Sequence, residues 1–301
     1  MATPKAIRRA IDWGSLAPLR LRARAVAEGV YAGMHRSARR GAGVEFGGYR
    51  EYTPGDDLRW LDRRSFLRHD RLVVRQFETE TDRALRLVVD ATSSMAYRGA
   101  TAPGAKIAWC ALVAAALTRV ALASGDPVGL TFLGGTNAPG LPRSSGREQF
   151  ERVLAALESV QAGGDAQLDR KLLDEALEAL ARTSRRGTVI VVLSDLLDLP
   201  ADAETRIAAL GSQGRVLCVV QTLDPDEALF PFEGTVRLRA MEGSFVVETD
   251  AETTRERYLA ALEAARANWE TALLQRGGRF LRATTADDPV RVVREILEAV
   301  R

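Results

Sequence analysis

From residue 85 to the end of the chain, short apolar runs alternate with longer segments in which apolar residues recur every three or four positions. Five runs have the length and composition of strands buried in a sheet: 85–89, 128–133, 188–193, 216–220 and 279–283. Helical spacing is clearest in three of the longer segments: 150–160, 168–180 and 253–275. Strands that alternate with helices predict an α/β fold with a doubly wound, mostly parallel sheet flanked by helices.

Two segments depart from this alternation. Residues 106–123 are apolar nearly all round, which predicts a helix that is buried on every side. Residues 236–247 are interrupted by Glu242 and Gly243, a break that is typical of a β-hairpin. We therefore predict a hairpin insertion over about 226–250 in the α/β domain.

The first eighty residues follow a different pattern. Residues 8–40 are polar with scattered apolar positions and predict a helix, whereas 41–57 are rich in turn residues and aromatics and predict an ordered loop with short strands. Residues 71–77 predict another strand. We assign 1–81 to an N-terminal extension and 82–301 to the α/β domain. Tyr49, Tyr52 and Trp60 of the extension are expected to pack on that domain.

Composition is that of an ordinary globular protein, with 46% hydrophobic and 27% charged residues. Cys110 and Cys218 lie in apolar segments, which predicts reduced core thiols rather than a disulfide or a zinc site. The uncharged apolar stretch 107–118 falls short of the ~20 residues that span a bilayer, and the basic N-terminus lacks the apolar core of a signal peptide. We expect a cytoplasmic protein without a membrane span.

The net charge of +2 is unevenly distributed, because residues 1–75 have a net charge of +8 and the remainder −6. A basic arm with aromatics such as Tyr49, Tyr52, Trp60 and Phe66 suggests nucleic acid as one partner. The arginines alternate with acidic residues, however, so local ion pairing is the favoured interpretation and no nucleic-acid partner is expected.

Oxygen-bearing side chains follow two of the predicted strands. Asp90, Thr92 and Ser94 come at the end of the first strand, and Asp195 comes at the end of the strand 188–193. Ligands of doubly wound sheets bind beyond the carboxyl ends of the strands, and oxygen ligands suit Mg²⁺ or Mn²⁺. The alternative is that both aspartates cap the helices that follow. Two such strand ends together favour a metal site.

The pattern Asp-x-Thr/Ser-x-Ser after a first strand, with a later strand-end aspartate, resembles the metal-ion-dependent adhesion site of von Willebrand factor type A domains. The resemblance implies that Asp90, Thr92 and Ser94 form the first metal loop and Asp195 the last, with threonine replacing serine conservatively at 92. It implies Mg²⁺, with Mn²⁺ or Ca²⁺ as substitutes. The family takes a threonine from a middle loop, where this chain has Asp165, either a replacement ligand or a solvent-facing residue.

A second resemblance covers nearly the whole chain. It rests on the segments 43–46 (Gly-Val-Glu-Phe), 49–59 (Tyr-Arg-Glu-Tyr-Thr-Pro-Gly-Asp-Asp-Leu-Arg), 74–78, 223–227 (Leu-Asp-Pro-Asp-Glu) and 230–232 (Phe-Pro-Phe). These segments resemble the signature of the bacterial DUF58 family, although Arg63 stands where that family often has tryptophan. The resemblance implies a type A-like domain encoded beside AAA ATPases of the MoxR class, with an adaptor or co-chaperone role.

We therefore predict a non-enzymatic, metal-dependent protein-interaction module whose metal face binds a MoxR-type AAA ATPase and other proteins. The rival hypothesis is a metal-dependent phosphoester hydrolase that uses the same carboxylates. The sequence lacks the Gly-x-Ser-x-Gly of a nucleophile elbow and the phosphate-binding Gly-x-x-x-x-Gly-Lys-Ser/Thr, so serine hydrolysis and ATP binding by this chain are not expected.

Overall fold

The computed structural model describes residues 18–34, 48–51, 73–76 and 83–301, apart from 168, 198, 240 and 242–245. The chain divides into two units, one made of Met1–Met34 with Arg83–Arg301 and the other of His35–Asp82. In the second unit, strands β1 (Gly48–Glu51) and β2 (Val73–Gln76) pair antiparallel, with Gly48 opposite Gln76. The expected packing of Tyr49, Tyr52 and Trp60, and the place of Phe66, concern side chains outside the described residues.

A six-stranded sheet forms the centre of the first unit. Its strands are β3 (Leu85–Asp90), β4 (Val128–Leu133), β5 (Leu141–Ser144), β6 (Val189–Ser194), β7 (Val216–Leu223) and β10 (Arg279–Thr284). They lie in the order β10-β7-β6-β3-β4-β5, and β5 alone is antiparallel to its neighbour. The predicted α/β fold with a mostly parallel sheet flanked by helices is confirmed. The strand order reverses between β3 and β6, which is where sheets of this kind bind ligands.

Eight helices belong to this unit in the described residues: α1 (Leu19–Met34), α2 (Lys106–Ala123), α3 (Gly146–Ser159), α4 (Arg170–Thr183), α5 (Ala203–Ala209), α6 (Pro225–Leu229), α7 (Ala251–Leu274) and α8 (Pro289–Ala299). The buried residues of α1, α2, α3 and α8 form one core with one face of the sheet. Those of α4, α5 and α7 form a second core with the other face. Each face of the sheet is therefore covered.

Helix α2 is the most deeply buried helix of the first core. By length and composition alone its residues Lys106–Ala123 are apolar enough to cross a membrane. In this structure 72% of that segment is buried. Buried core helices of globular proteins meet the same criterion of length and hydropathy, so the criterion alone does not indicate a membrane span. The predicted burial on every side follows from the absence of charge between Lys106 and Arg119.

The structure adds three features to the predicted organisation. Helix α1, which the prediction assigned to the N-terminal extension 1–81, belongs to the same unit as residues 83–301, because Leu19, Ala23, Val26 and Val30 form one buried stripe. Strand β5 was absent from the prediction, since its residues alternate between half-buried and exposed at the sheet edge. The hairpin consists of β8 (Thr235–Arg239) and β9 (Val246–Asp250).

Candidate metal centre

Asp90 is the last residue of β3 and is 1% exposed. Its Oδ1 accepts hydrogen bonds from the Thr92 backbone N–H at 2.9 Å and from Thr92 Oγ1 at 2.8 Å. Its Oδ2 accepts from Ser194 Oγ, at the end of β6, at 2.5 Å. The carboxylate therefore connects the ends of the two strands between which the strand order reverses.

The loop after β3 places the hydroxyl of Thr92 on this carboxylate and the hydroxyl of Ser94 beside that of Thr92. Thr92 Oγ1 lies 3.2 Å from Ser94 Oγ, and both residues are buried, with Ser94 4% exposed. Ser93 between them faces the other way, since its Oγ donates to the carbonyl of Gly164 at 3.0 Å. A short 3₁₀ helix over Ser93–Ala96 produces this alternation. The cluster thus contains the oxygens of Asp90, Thr92 and Ser94, with Ser94 at its more exposed end.

Asp195 follows β6 directly and is fully buried. Its Oδ1 accepts from the Leu197 backbone N–H at 3.0 Å, and its main-chain carbonyl accepts from Gln221 Nε2 at 3.1 Å. Its Oδ2 accepts from Lys106 Nζ at 2.7 Å. Asp90 and Asp195 therefore lie at the ends of adjacent strands, but a buried lysine occupies one oxygen of Asp195.

Lys106 begins α2, and its side chain is 0% exposed. Its ammonium donates to Asp195 at 2.7 Å and to Glu227 Oε1, on α6, at 2.6 Å, and it lies 5.8 Å from the centre of the Tyr97 ring. Burial lowers the pKa of Lys106, but the two carboxylates outweigh burial, and its net pKa lies above the ordinary value. Lys106 is therefore a permanent cation beside Asp90, Thr92, Ser94 and Asp195, which we call the strand-end cluster.

The acidic groups respond to burial in the opposite direction. Burial and then the nearby charge of Asp195 raise the pKa of Asp90 to about 6, against the hydrogen bonds from Ser194 and Thr92. Burial likewise raises the pKa of Glu227, although Lys106 opposes the change. The two carboxylates lie close enough for their negative charges to repel each other. A cation beside them reduces that repulsion.

The segment after β7 holds Glu227 in place through a helix cap. Asp224 accepts from the Asp226 backbone N–H at 2.9 Å, and Glu227 Oε2 accepts from the Asp224 backbone N–H at 2.9 Å, which together form a capping box for α6. The second carboxylate oxygen of Asp224 accepts from the Gly99 backbone N–H at 2.7 Å. The cap of α6 therefore also supports the loop that follows the 3₁₀ helix.

Asp165 belongs to the loop between α3 and α4 and is half-buried. Its Oδ1 accepts from the Gln167 backbone N–H at 2.9 Å. The residue before it, Gly164, accepts from both the backbone N–H and the hydroxyl of Ser93, each at 3.0 Å. The structure thus places the loop of Asp165 beside the Asp90 loop.

The donor set of the cluster fits a hard divalent cation. In the described part of the chain, no group of three or more His, Cys, Asp or Glu side chains is arranged to hold a metal ion, so a metal here depends on hydroxyl oxygens. Asp90, Thr92 and Ser94 supply such oxygens within hydrogen-bonding distance of one another. Asp195 would contribute through Oδ1, because Lys106 neutralises Oδ2.

Comparison with known proteins decides the family. The profile of the family described as "Protein of unknown function DUF58" matches residues 48–268. This chain belongs to the DUF58 family. The match includes α2, β3, β6 and the capping segment of α6, so every residue of the strand-end cluster lies in the DUF58 region.

Relatives and solved structures similar to this DUF58 chain include the following. Uncharacterized protein Mb1516 of Mycobacterium bovis and Uncharacterized protein Rv1480 of Mycobacterium tuberculosis are each 29% identical over 276 residues, which cover 91% of this chain and 85% of theirs. The conserved hypothetical protein BatB of Bacteroides thetaiotaomicron is 17% identical, with a TM-score of 0.46 over 72% of this chain and 98% of that one. An aerotolerance-related membrane protein of Bacteroides fragilis is 18% identical, with a TM-score of 0.47 over the same shares.

Three residues of the centre were not among the predicted site residues. Ser194 donates to Asp90, Lys106 donates to Asp195, and Glu227 accepts from Lys106. A signal for Lys106 exists in the composition, since only three of the 42 basic residues are lysines and one of them opens an otherwise apolar helix. Glu227 ends the segment Leu-Asp-Pro-Asp-Glu that supported the DUF58 resemblance, and the structure gives that segment a physical role.

Proposed function

We propose that this DUF58 chain is a non-enzymatic protein-interaction module whose type A-like unit binds partner proteins through a divalent cation, Mg²⁺ with Mn²⁺ or Ca²⁺ as substitutes. Asp90, Thr92 and Ser94 would hold the cation, with Asp195 beside them. The observation that supports the proposal is the meeting of Asp90 with Ser194 and Asp195 where the strand order reverses, with two hydroxyls on the same carboxylate.

A bound cation would supply a positive centre at which a carboxylate of the partner could bind. The residues of the chain orient this interaction: Ser194 and Thr92 donate to the Asp90 carboxylate, and Lys106 donates to Oδ2 of Asp195. Because Ser94 is only 4% exposed, a partner group that binds the cation would have to reach a buried set of oxygens. A slender acidic side chain meets this requirement better than a flat surface does.

The partner we propose is an AAA ATPase of the MoxR class, with this chain as its adaptor or co-chaperone in the cytoplasm. The proposal rests on the DUF58 membership together with the type A resemblance of the strand-end pattern. The proposed contact is the face on which β3 and β6 end.

The test is titration calorimetry of this chain against a purified MoxR-type ATPase from the same organism, with Mg²⁺ and with a chelator. The matched variants are Ser94→Ala, which removes a cluster hydroxyl, and Ser93→Ala, whose hydroxyl bonds Gly164 instead. We expect chelation and Ser94→Ala to weaken binding at least about tenfold, or ~1.4 kcal/mol, and Ser93→Ala to leave it unchanged.

Equal affinities in all four conditions would contradict docking through the metal face. Turnover of a generic phosphoester that requires both Mg²⁺ and Ser94 would replace the interaction module by the rival hydrolase. Alanine at Asp90 is the weaker choice of variant, because it leaves three buried donors without their acceptor and so perturbs the fold.

A further inference from the structure

A second charged feature lies on the strand that ends in Asp90, near its other end. Arg86, the second residue of β3, is only 6% exposed. It lies opposite Gly129 of β4, and its Nη1 occupies space that a Cβ on Gly129 would need. Four residues of a strand, about 13 Å, separate Arg86 from Asp90. The arginine is thus well removed from the candidate metal centre.

The guanidinium of Arg86 lacks a counter-ion among the described residues. Within the part of the chain that the structure describes, its side chain makes no hydrogen bond or ion pair, and its Nε is buried without a partner. Other half-buried arginines of this unit have acceptors, such as Arg206 on Asp174 and Arg266 on Gln221. Arg86 is therefore an exception that requires an explanation.

A second arginine adds to the positive charge at this position. Gly129 lies at a bulge where β4 pairs with β5, and the backbone nitrogen of Arg143 lies 3.2 Å from the position of a Gly129 Cβ. Burial and then the like charge of Arg143 lower the pKa of Arg86, so the two charges act on each other. Arginine nevertheless stays protonated in proteins, and a buried cation without a partner is strongly unfavourable. Arg86 is such a cation, and the like charge of the half-exposed Arg143 beside it increases the need for an anion.

The structure assigns Arg86 and Arg143 to an oxyanion-binding site across Gly129, with a phosphate-type group as its ligand. Two guanidinium groups match the charge of a phosphate dianion, and each presents a planar set of N–H donors suited to its oxygens. The glycine leaves no β4 side chain between the two arginines at this register. The ligand is either free phosphate or the phosphoryl group of a larger molecule.

Two measurements on the intact chain test this site: thermal unfolding in phosphate-free buffer with added phosphate, and calorimetric titration with inorganic phosphate. Chloride at the same ionic strength is the salt control. The variants are Arg86→Met and Arg143→Gln, and the control is Arg279→Gln, an exposed arginine at the start of β10 of the same sheet. We expect phosphate to raise the unfolding temperature of the wild type, and Arg86→Met and Arg143→Gln to weaken phosphate binding at least about tenfold.

The phosphate-free state gives a second, independent outcome. Because methionine replaces an unpaired buried charge by an apolar chain of similar length, Arg86→Met is expected to unfold at a higher temperature than the wild type. An arginine that only supports the fold would give a lower temperature, and that result overturns the proposal. So does a phosphate effect that is equal in the wild type and all three variants. Tighter binding of phosphoserine than of phosphate would identify the ligand as a phosphoryl group on a larger molecule, and the reverse as free phosphate.

Discussion

Lys106→Met removes the cation that joins the end of β6 to helix α6. The ammonium lies 2.7 Å from Asp195 and 2.6 Å from Glu227, and its side chain is completely buried. At an effective dielectric constant of about 20, each pair has ~6 kcal/mol of Coulomb attraction before the loss of hydration is subtracted. Removing one member of a buried pair costs about 3–5 kcal/mol, because the remaining charge has no partner.

We expect Lys106→Met to lower the free energy of unfolding by about 3–5 kcal/mol. The estimate is not doubled for two partners, because the Glu227 side chain is 18% exposed and retains part of its hydration. Urea denaturation followed by circular dichroism measures the change. Lys171→Met is the matched control, since Lys171 is exposed on α4.

The double variant Lys106→Met with Glu227→Gln should recover part of the loss, because it also removes one unpaired carboxylate. If the Lys106 and Lys171 variants agree within about 1 kcal/mol, the buried ion pairs do not stabilise the unit as argued.

Two further predictions concern the loops around the cluster. Asp224→Ala should destabilise the unit by about 1–2 kcal/mol in urea denaturation, because Gly99 and Asp226 each lose an acceptor, and a loss no larger than experimental error would contradict the capping role. Gly135→Ala should destabilise more than Gly125→Ala does, because both glycines have positive φ (+83° and +86°) but only at Gly135 would a Cβ lie 2.8 Å from Ala91 Cβ. Equal losses at the two glycines would show that backbone conformation, and not the contact with Ala91, determines the effect.

The sheet of this protein was predictable because its strands are short, apolar and separated by helical segments. The bounds of β4 match the predicted strand, and the other predicted sheet strands are recovered within a few residues. Strand β5 was not predictable in the same way, since edge position makes Leu-Pro-Arg-Ser half exposed and removes the apolar signal. Helix α1 shows a related difficulty, because its buried stripe of Leu19, Ala23, Val26 and Val30 includes an alanine that carries little hydrophobic signal.

The candidate site was predictable in position but not in chemistry. Adjacent strand ends follow from the doubly wound topology, and the structure brings Asp90 and Asp195 to such ends. The ion pairs of Lys106 depend instead on Asp195 and Glu227, which lie 89 and 121 residues further along the chain. A lysine that opens an apolar helix is a local signal of burial, but the sequence does not show which carboxylates it meets. The unpaired guanidinium of Arg86 likewise becomes visible only when Gly129 and Arg143 are placed beside it.

Calorimetric titration of the isolated chain with Mg²⁺ is the decisive test of the proposed metal site, because it needs no partner protein. Wild type, Ser94→Ala and Ser93→Ala are compared in the same buffer after treatment with a chelator. We expect one Mg²⁺ bound by the wild type, affinity at least about tenfold weaker in Ser94→Ala, and no change in Ser93→Ala. Absence of any Mg²⁺, Mn²⁺ or Ca²⁺ binding by the wild type, or equal losses in the two serine variants, would contradict a metal held by Asp90, Thr92 and Ser94.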